Sequence, residues 1–437
     1  MNSAQLWIFA LKIKDRLPLS LQSITFRIMQ EVRFLIFKMK LRTGFNNNIP
    51  NPARVYWVSP NRIVYHTNFL KNKSFETTSF HSRVFGPEMR GKVVDGDWDV
   101  TNYRFSDLGV FDAFKKRVIE GLEWRDTLFF KKVLKQIESG KSFWGVNNKT
   151  DFDKRCRYLD SLYKSIKNNG YLLNRYVNNK TSGYDEIDVN IGRNGEYLFQ
   201  NGAHRLSIAK ILGLKQIPIM VFVRHKKWQE FREFIISYAK REKRAKLYQP
   251  IVHPDLSDIP YDLEDHNCQE LMEVIKRNLG KERGRMLDIG ANVGYFCHKF
   301  EDLGYHCWAV EQDLGSFQIL KKIRNAEGKK FIAINKSIFE VDSVKKVKFD
   351  VVLALNIFHH FLKGKQTFIQ LKQFLRNIDT DEMFFEAHRY YEDQMKDAYM
   401  NFTEPEFIDF LLKHTSLTKS EVIYSAKNGR TVFKLSK

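Results

Sequence analysis

The chain has 437 residues, of which 43% are hydrophobic, 14% aromatic and 28% charged. This is a globular balance, and it excludes a disordered, collagen-like or disulfide-scaffold protein. Seventy-two Lys and Arg against 51 Asp and Glu leave a net charge of +21, which points to anionic partners and leaves nucleic acid, anionic lipid, nucleotide and phosphorylated glycan open. No stretch reaches the ~18 uncharged apolar residues of a membrane span. Cys156, Cys268, Cys297 and Cys307 are scattered with no C-x-x-C pair. They read as reduced thiols of a cytosolic protein, with no structural metal site.

Residues 1–45 carry eight Lys and Arg against Asp15 and Glu31. After Pro18, Leu21, Ile24, Ile28, Val32, Leu35 and Met39 follow a three-four spacing that makes one apolar face. This predicts a basic amphipathic helix suited to lying on an anionic membrane surface, or to docking on protein. The segment N-N-N-I-P-N at 46–51 is a turn-rich linker. Strands are expected at Val55–Val58 and Ile63–Tyr65, helices at Phe111–Glu123 and Phe152–Asn168, and strands at Asp188–Ile191, Glu196–Phe199 and Ile217–Val223. A charged helix is expected over Trp228–Lys246, followed by an extended connector at Tyr248–Asp258 with Pro250 and Pro254. From Asn267 onward helices and strands alternate, the pattern of a doubly wound parallel sheet. The expected division is a helical segment at 1–45, a smaller α+β domain at 52–248 and an α/β domain at 260–437.

The most informative stretch runs from Arg285 to Phe296: an apolar strand, Asp288, a turn with Gly290, Asn292 and Gly294, then a helix. Gly290 permits a tight turn, and Gly294 allows close approach to the backbone. Twenty-three residues after Asp288, the strand Cys307–Val310 ends in Glu311, placed to accept hydrogen bonds from ribose hydroxyls. The spacing is D-x-G-x-x-x-G, unlike the dinucleotide fingerprint. The strand at Phe349–Leu355 then opens into Asn356, His359 and His360.

In this order the three motifs resemble those of class I S-adenosylmethionine-dependent methyltransferases. The resemblance implies a Rossmann-like C-terminal sheet. It gives the amino-acid end of the methyl donor to Asp288, Gly290, Asn292 and Gly294, the ribose to Glu311, the adenine side to Ser337, where the family often has an Asp, and the methyl-transfer face to Asn356. A sulfonium methyl is already activated, so aligning the nucleophile supplies much of the acceleration; a hydroxyl acceptor also calls for a general base. His359, His360, Glu386 and His388, at the ends of two adjacent predicted strands, are the candidates.

In the middle of the chain, Glu196–Phe199, Gln200-Asn201-Gly202 and Ala203–Leu212 form strand, turn and helix. Free N–H groups and the Arg205 guanidinium would converge there on one anion. The stretch resembles the G-x-H-R-x-x-A segment of the ParB/sulfiredoxin-like superfamily, which implies that Gly202, His204 and Arg205 contact nucleotide phosphates, with ATP or CTP and magnesium as the ligand. A helix cap with Arg205 paired to a carboxylate is the alternative. The cysteine that sulfiredoxins carry beside this turn is missing. A phosphotransferase would need an acid, for which Asp97 and Asp99 of Gly96-Asp97-Trp98-Asp99 are the candidates; a capped turn is the alternative. Pro52–Pro60, Gly96–Asp99 and Ile191–Arg205 together resemble uncharacterised prokaryotic, largely archaeal, ParB-like proteins.

The expectation is a two-domain, cytoplasmic enzyme, peripheral to a membrane if residues 1–45 bind lipid. It methylates a small-molecule, glycan or lipid-headgroup acceptor beside a nucleotide- or phosphate-binding domain that could itself be a kinase. A nucleic-acid methyltransferase and a non-enzymatic, nucleotide-gated DNA or membrane adaptor remain the alternatives.

Overall fold

The computed structural model describes residues 48–67, 85–86, 89–140, 146, 148–174, 186–241, 245–263 and 267–437. The amphipathic segment at 1–45 lies outside them. The chain divides into two compact units between Glu233 and Phe234.

In the first unit, strands β1 (Val55–Val58), β2 (Tyr65–His66), β3 (Val93–Val94), β4 (Ile187–Ile191), β5 (Tyr197–Asn201) and β6 (Ile217–His225) form one sheet. Its order is β1-β6-β4-β5-β2, with β3 paired to β6. All nine residues of β6 are buried, which is why Ile217–Val223 reads as a continuous apolar run and not as an alternating one. Helices α1 (Gly109–Val118), α2 (Leu128–Glu138), α3 (Lys149–Asn169) and α4 (Ala203–Ile211) share a core built on Phe114, Trp124, Phe130, Phe152 and Ile208. Beneath the sheet the fully buried Asn190 is satisfied: its Nδ2 donates to Thr67 Oγ1 at 2.8 Å and to Gln200 Oε1 at 3.0 Å. Helix α5 (Lys226–Arg241) follows.

The second unit is a seven-stranded sheet. Strands β7 (Arg285–Ile289), β8 (His306–Val310), β9 (Ile332–Ile334), β10 (Lys348–Leu355), β11 (Asp379–Glu386), β12 (Lys419–Ser425) and β13 (Thr431–Ser436) stand in the order β12-β13-β11-β10-β7-β8-β9. β9, β8, β7, β10 and β11 are parallel, and β13 runs antiparallel to β11. Side chains alternate across the pleat. Val351 and Leu353 face α6 (Cys268–Arg277) and α7 (Tyr295–Asp302), while Val352 and Ala354 face α10 (Lys365–Asn377) and α11 (Glu404–His414). Helix α8 (Leu314–Ala326) and the short α9 (Phe358–Leu362) complete the layers. The strand order reverses between β7 and β10, and in such sheets ligands bind at the carboxyl ends beside that reversal. Among the described residues no helix is long and apolar enough to cross a membrane.

The proline-containing segment 245–263 belongs to the second unit and is no loose connector. Ile251, His253, Asp255, Leu256 and Ile259 are buried, and Gln249 Oε1 accepts the Tyr295 N–H at 3.2 Å. That N–H is a donor of the first turn of α7, which the helix itself cannot satisfy.

Candidate active site

β7 ends at Asp288 and passes into a loop in which Gly290, Asn292 and Gly294 have φ of 73°, 51° and 85°. A Cβ on Gly290 would come within 2.8 Å of Ile357 Cδ1, so the loop is closed against the end of β10 and only glycine fits. Asn is one of the few other residues that enters the left-handed region readily. Glu311, at the end of β8, clasps this loop: Oε2 accepts the Asn292 N–H at 2.8 Å and Oε1 the Asp313 N–H at 2.6 Å. Burial pushes the Glu311 carboxyl up, and these N–H groups oppose the shift. Ser337 opens the short turn Ile338–Glu340 after β9 and is half-buried. Nearby, Asn335 Nδ2 donates to the Glu311 carbonyl at 2.8 Å.

Asp288 is 2% exposed, and its one side-chain donor is the weak Cys297 thiol at 3.7 Å. Burial pushes its carboxyl up to about 7. It lines a cavity of about 370 Å³ together with Gly290, Phe296, Leu355, Tyr248 and Glu386. Glu386, the last residue of β11, is 6% exposed. Burial raises it to about 7 against the partial relief of the Arg430 charge. Asn356, with φ of 52° at the end of β10, donates from Nδ2 to the Tyr248 hydroxyl at 2.9 Å, while its buried Oδ1 has no partner. Tyr248, Gln249 and Arg430 escaped sequence reasoning. The first two sit among prolines that suggest a linker, and nothing beside Arg430 in the sequence marks it.

The candidate bases do not all share one position. His359, His360 and His388 form a row of rings, with centroids 4.0 Å apart between the first two and 5.7 Å between His359 and His388. None of the three lines the cavity, whereas Glu386 does. Burial and the neighbouring positive groups drive His359 down to about 2, so it is neutral. His388 is buried, and its Nε2 donates to Asn401 Oδ1 at 2.8 Å, which leaves Nδ1 a bare acceptor without a partner. Behind this row Arg430 donates to Glu392 Oε1 at 2.8 and 3.1 Å. Burial alone would raise Glu392; the Gln394 amide and Arg430 outweigh it and hold the carboxylate at about 2. Among the described residues no group of three or more His, Cys, Asp or Glu is placed to hold a metal ion.

In the first unit Gly202, with φ of 94°, opens α4. Arg205 lies 3.8 Å from Glu186 Oε2 and donates to the Glu186 carbonyl at 3.4 Å. Glu186 also accepts from the Asn174 N–H at 2.7 Å. His204 packs its ring against Phe114. Asp99 is buried and takes two bonds from Arg193 Nε, at 2.8 and 3.0 Å, and one from Nη2 at 2.7 Å; Asp97 takes the same Nη2 at 2.7 Å. Both candidate phosphotransfer acids are thus held by one guanidinium.

Residues 263–415 match the family described as "Methyltransferase domain". That match lies within the second unit and covers most of its sheet, so this part of the chain is similar to a methyltransferase domain. Among solved structures, the bifunctional kinase-methyltransferase WbdD is 16% identical, with 46% of this chain and 46% of its own covered and a TM-score of 0.37. The PH0226 protein from Pyrococcus horikoshii OT3 is 14% identical over 40% of this chain and 93% of its own, with a TM-score of 0.33. Magnesium protoporphyrin IX methyltransferase (ChlM) from Synechocystis PCC 6803, solved with bound S-adenosylmethionine, is 12% identical over 39% and 79%, with a TM-score of 0.31. This chain spans about half the length of the WbdD chain. No curated protein matches it in sequence.

Proposed function

We propose that the protein transfers a methyl group from S-adenosylmethionine to a small-molecule, glycan or lipid-headgroup acceptor, and that the cavity at the carboxyl ends of β7, β10 and β11 is where it does so. The observation that carries this reading is a single cavity bounded by the Asp288–Gly290 turn on one side and by Glu386 on the other. The donor supplies an activated methyl on sulfur. Asp288 would bind its ammonium group, ionising as it does so, and Glu311 its ribose hydroxyls, exchanging backbone donors for them. Asn356 Oδ1 supplies an acceptor at the methyl-transfer face. Tyr248 and Phe296 exclude water from the chamber, and Glu386 orients the attacking atom of the acceptor. Calorimetric titration of S-adenosylmethionine into the full chain tests this: saturable binding lost in Asp288→Ala is expected, and binding indifferent to that change would sink the reading.

For the first unit the proposal is a ParB-like phosphate or nucleotide site at Gly202, His204 and Arg205. Its support is the left-handed glycine opening α4 without a side-chain cap. The pairing of Arg205 with Glu186 is the arrangement of the helix-cap alternative, so an anion there must compete with that carboxylate; the clasp on Asp97 and Asp99 gives a kinase role no support. Titration of ATP and then CTP with magnesium, with Arg205→Ala as control, tests it: saturable binding that the variant loses is expected, and no heat with either nucleotide would leave the turn structural. Contact of residues 1–45 with an anionic membrane surface remains part of the same proposal, checked by sedimentation with anionic vesicles.

A further inference from the structure

The cavity of the second unit carries an imbalance of charge. Asp288, Glu386 and Glu270 line it, against Lys427, which is exposed on the β12–β13 hairpin. Glu270 is partnered, since the Tyr424 hydroxyl donates to it at 3.0 Å. Glu386 is different: it is 6% exposed, lines the cavity, and takes no hydrogen bond from any described residue. Arg430 donates from Nε and Nη2 to Glu392 and is not on the cavity wall; its buried Nη1 has no partner, and its charge reaches Glu386 without a hydrogen bond. Its carboxyl oxygens open onto the cavity, where a ligand can supply the donor that the fold does not. The ammonium group of the methyl donor accounts for Asp288 and leaves Glu386 unexplained.

We propose that Glu386 recognises an amine on the methyl acceptor, so that the domain is an N-methyltransferase; the proposal rests on the methyltransferase reading above. The physical reason is the sign of the charge that develops. An amine that enters as an ammonium first gives one proton to Glu386, which passes it to water and is left a carboxylate; the freed lone pair then forms the N–C bond, the C–S bond breaks with its electron pair passing to sulfur, and the nitrogen becomes positive. A fixed carboxylate beside it stabilises that charge in a chamber of low dielectric. The excess proton on the methylated nitrogen then passes to Glu386 and on to water. An acceptor that reacts as an alkoxide, phosphate or carboxylate would bring negative charge against the same group and be repelled. The aromatic walls Tyr248, Phe296 and Tyr424 suit the same cationic ligand. Glu386, which burial raises to about 7 in the empty chamber, releases its proton to water as the ammonium enters.

The test uses the full chain saturated with S-adenosylhomocysteine, whose binding is measured first. If that binding is absent, the methyltransferase reading fails and this proposal fails with it. With it present, n-butylamine and n-butanol are titrated by calorimetry. Butylamine is expected to bind about tenfold to hundredfold more tightly than butanol, the worth of one charge-assisted hydrogen bond. Glu386→Gln should remove that preference. Should Glu386→Gln fail to fold, Ala426→Lys, which adds a cation to the cavity wall on the hairpin, should remove it instead. Equal affinities, no binding of the amine, or a preference that survives in a folded variant would overturn the assignment while leaving donor binding intact. Glucosamine against glucose, and phosphatidylethanolamine against phosphatidylglycerol vesicles, then locate the amine on a sugar or a lipid headgroup. A preference for the amine-free member of either pair also overturns the assignment.

Discussion

The Gly202 turn of the first unit and the Gly290–Gly294 loop of the second are built alike. Each leaves a strand, passes through a glycine with positive φ, and enters a helix whose first N–H groups lack intrahelical partners. They differ in what surrounds them. Arg205, the charged group at the first turn, already has Glu186 beside it. Asp288 and Glu386, the charged groups at the second, are buried with a thiol and with no donor respectively. The first arrangement is close to electrostatic balance by itself. The second holds two buried carboxyl groups that burial raises to about 7, so on the proposed reading the first turn folds without a ligand and the second is completed by a cationic one.

Substitution at the two glycines should act most strongly on each loop. Gly290→Val would place a β-branched side chain at φ of 73° with its Cβ 2.8 Å from Ile357. We expect about a hundredfold loss of S-adenosylmethionine affinity by calorimetry, from roughly 3 kcal/mol of strain and displaced contact. Gly202→Ala meets Ile187 at 3.1–3.2 Å at φ of 94° and should cost the first unit about 1–2 kcal/mol in denaturant unfolding. It should leave S-adenosylmethionine affinity unchanged. If it lowers that affinity as much as Gly290→Val does, the two loops are not separate in function.

Asp288 makes the second loop sensitive to pH. Its folded-state carboxyl sits at about 7, above the ordinary carboxylate value of about 3.9. Between those values the folded chain holds a proton that the unfolded chain has lost. Stability from this group is therefore full below pH 4, falls as pH rises through 7, and is level above. Glu386, also at about 7, acts with the same sign. Asp288→Asn should raise the melting temperature of the ligand-free protein at pH 8 by several degrees, for about 1–2 kcal/mol, while abolishing donor binding. Wild-type affinity for S-adenosylmethionine should rise with pH up to about 7, with a proton released on binding, visible as a buffer-dependent heat. A variant that loses both stability and affinity at pH 8 would argue that Asp288 is held by a partner already within the fold.

How much of this was legible beforehand depended on how local the signal is. The loop Asp288–Gly294 and the acid Glu311 were legible as positions in the fold, because they sit at the ends of adjacent strands and the spacing between those ends is a property of one βαβ unit. Val55–Val58 forms a strand over the residues where one is expected. The helix expected at Phe111–Glu123 stops at Val118, ahead of Gly121 with its φ of 74°. Leu128–Glu138 forms a helix that was not anticipated, although Thr127 Oγ1 accepts the Phe130 N–H as an N-cap. The burial of segment 245–263 was hidden, because the partner of Tyr248 is Asn356, 108 residues away. Prolines at 250 and 254 suggest a linker whether or not a sheet lies beneath them. Arg430 and Glu392 meet across 38 residues, and no periodicity marks either.

Arg205 offers the next test of the balanced turn. Arg205→Ala removes the guanidinium 3.8 Å from Glu186, which is 4% exposed, and should cost about 1–3 kcal/mol. Adding Glu186→Gln should restore most of that stability. If nucleotide binding is real, it should stay lost in the double variant, so chemical unfolding and ATP or CTP titration together separate the fold's use of Arg205 from the ligand's.

The smallest effect expected is at Tyr248, and it probes whether segment 245–263 is a working wall of the cavity. The hydroxyl is buried, and burial lifts its pKa well above the ordinary tyrosine value, so it stays neutral and accepts from Asn356 Nδ2. Tyr248→Phe keeps the ring against the cavity and removes only that acceptor, at about 1 kcal/mol. Asn356 stands at φ of 52° with Oδ1 unpartnered, so freeing its Nδ2 lets the amide turn and withdraws an acceptor from the ligand. S-adenosylmethionine affinity should fall about threefold to fivefold with little change in melting temperature, because the ring packing is intact. A fall in melting temperature with affinity unchanged would make the segment a structural strap and return the cavity to the strand ends alone.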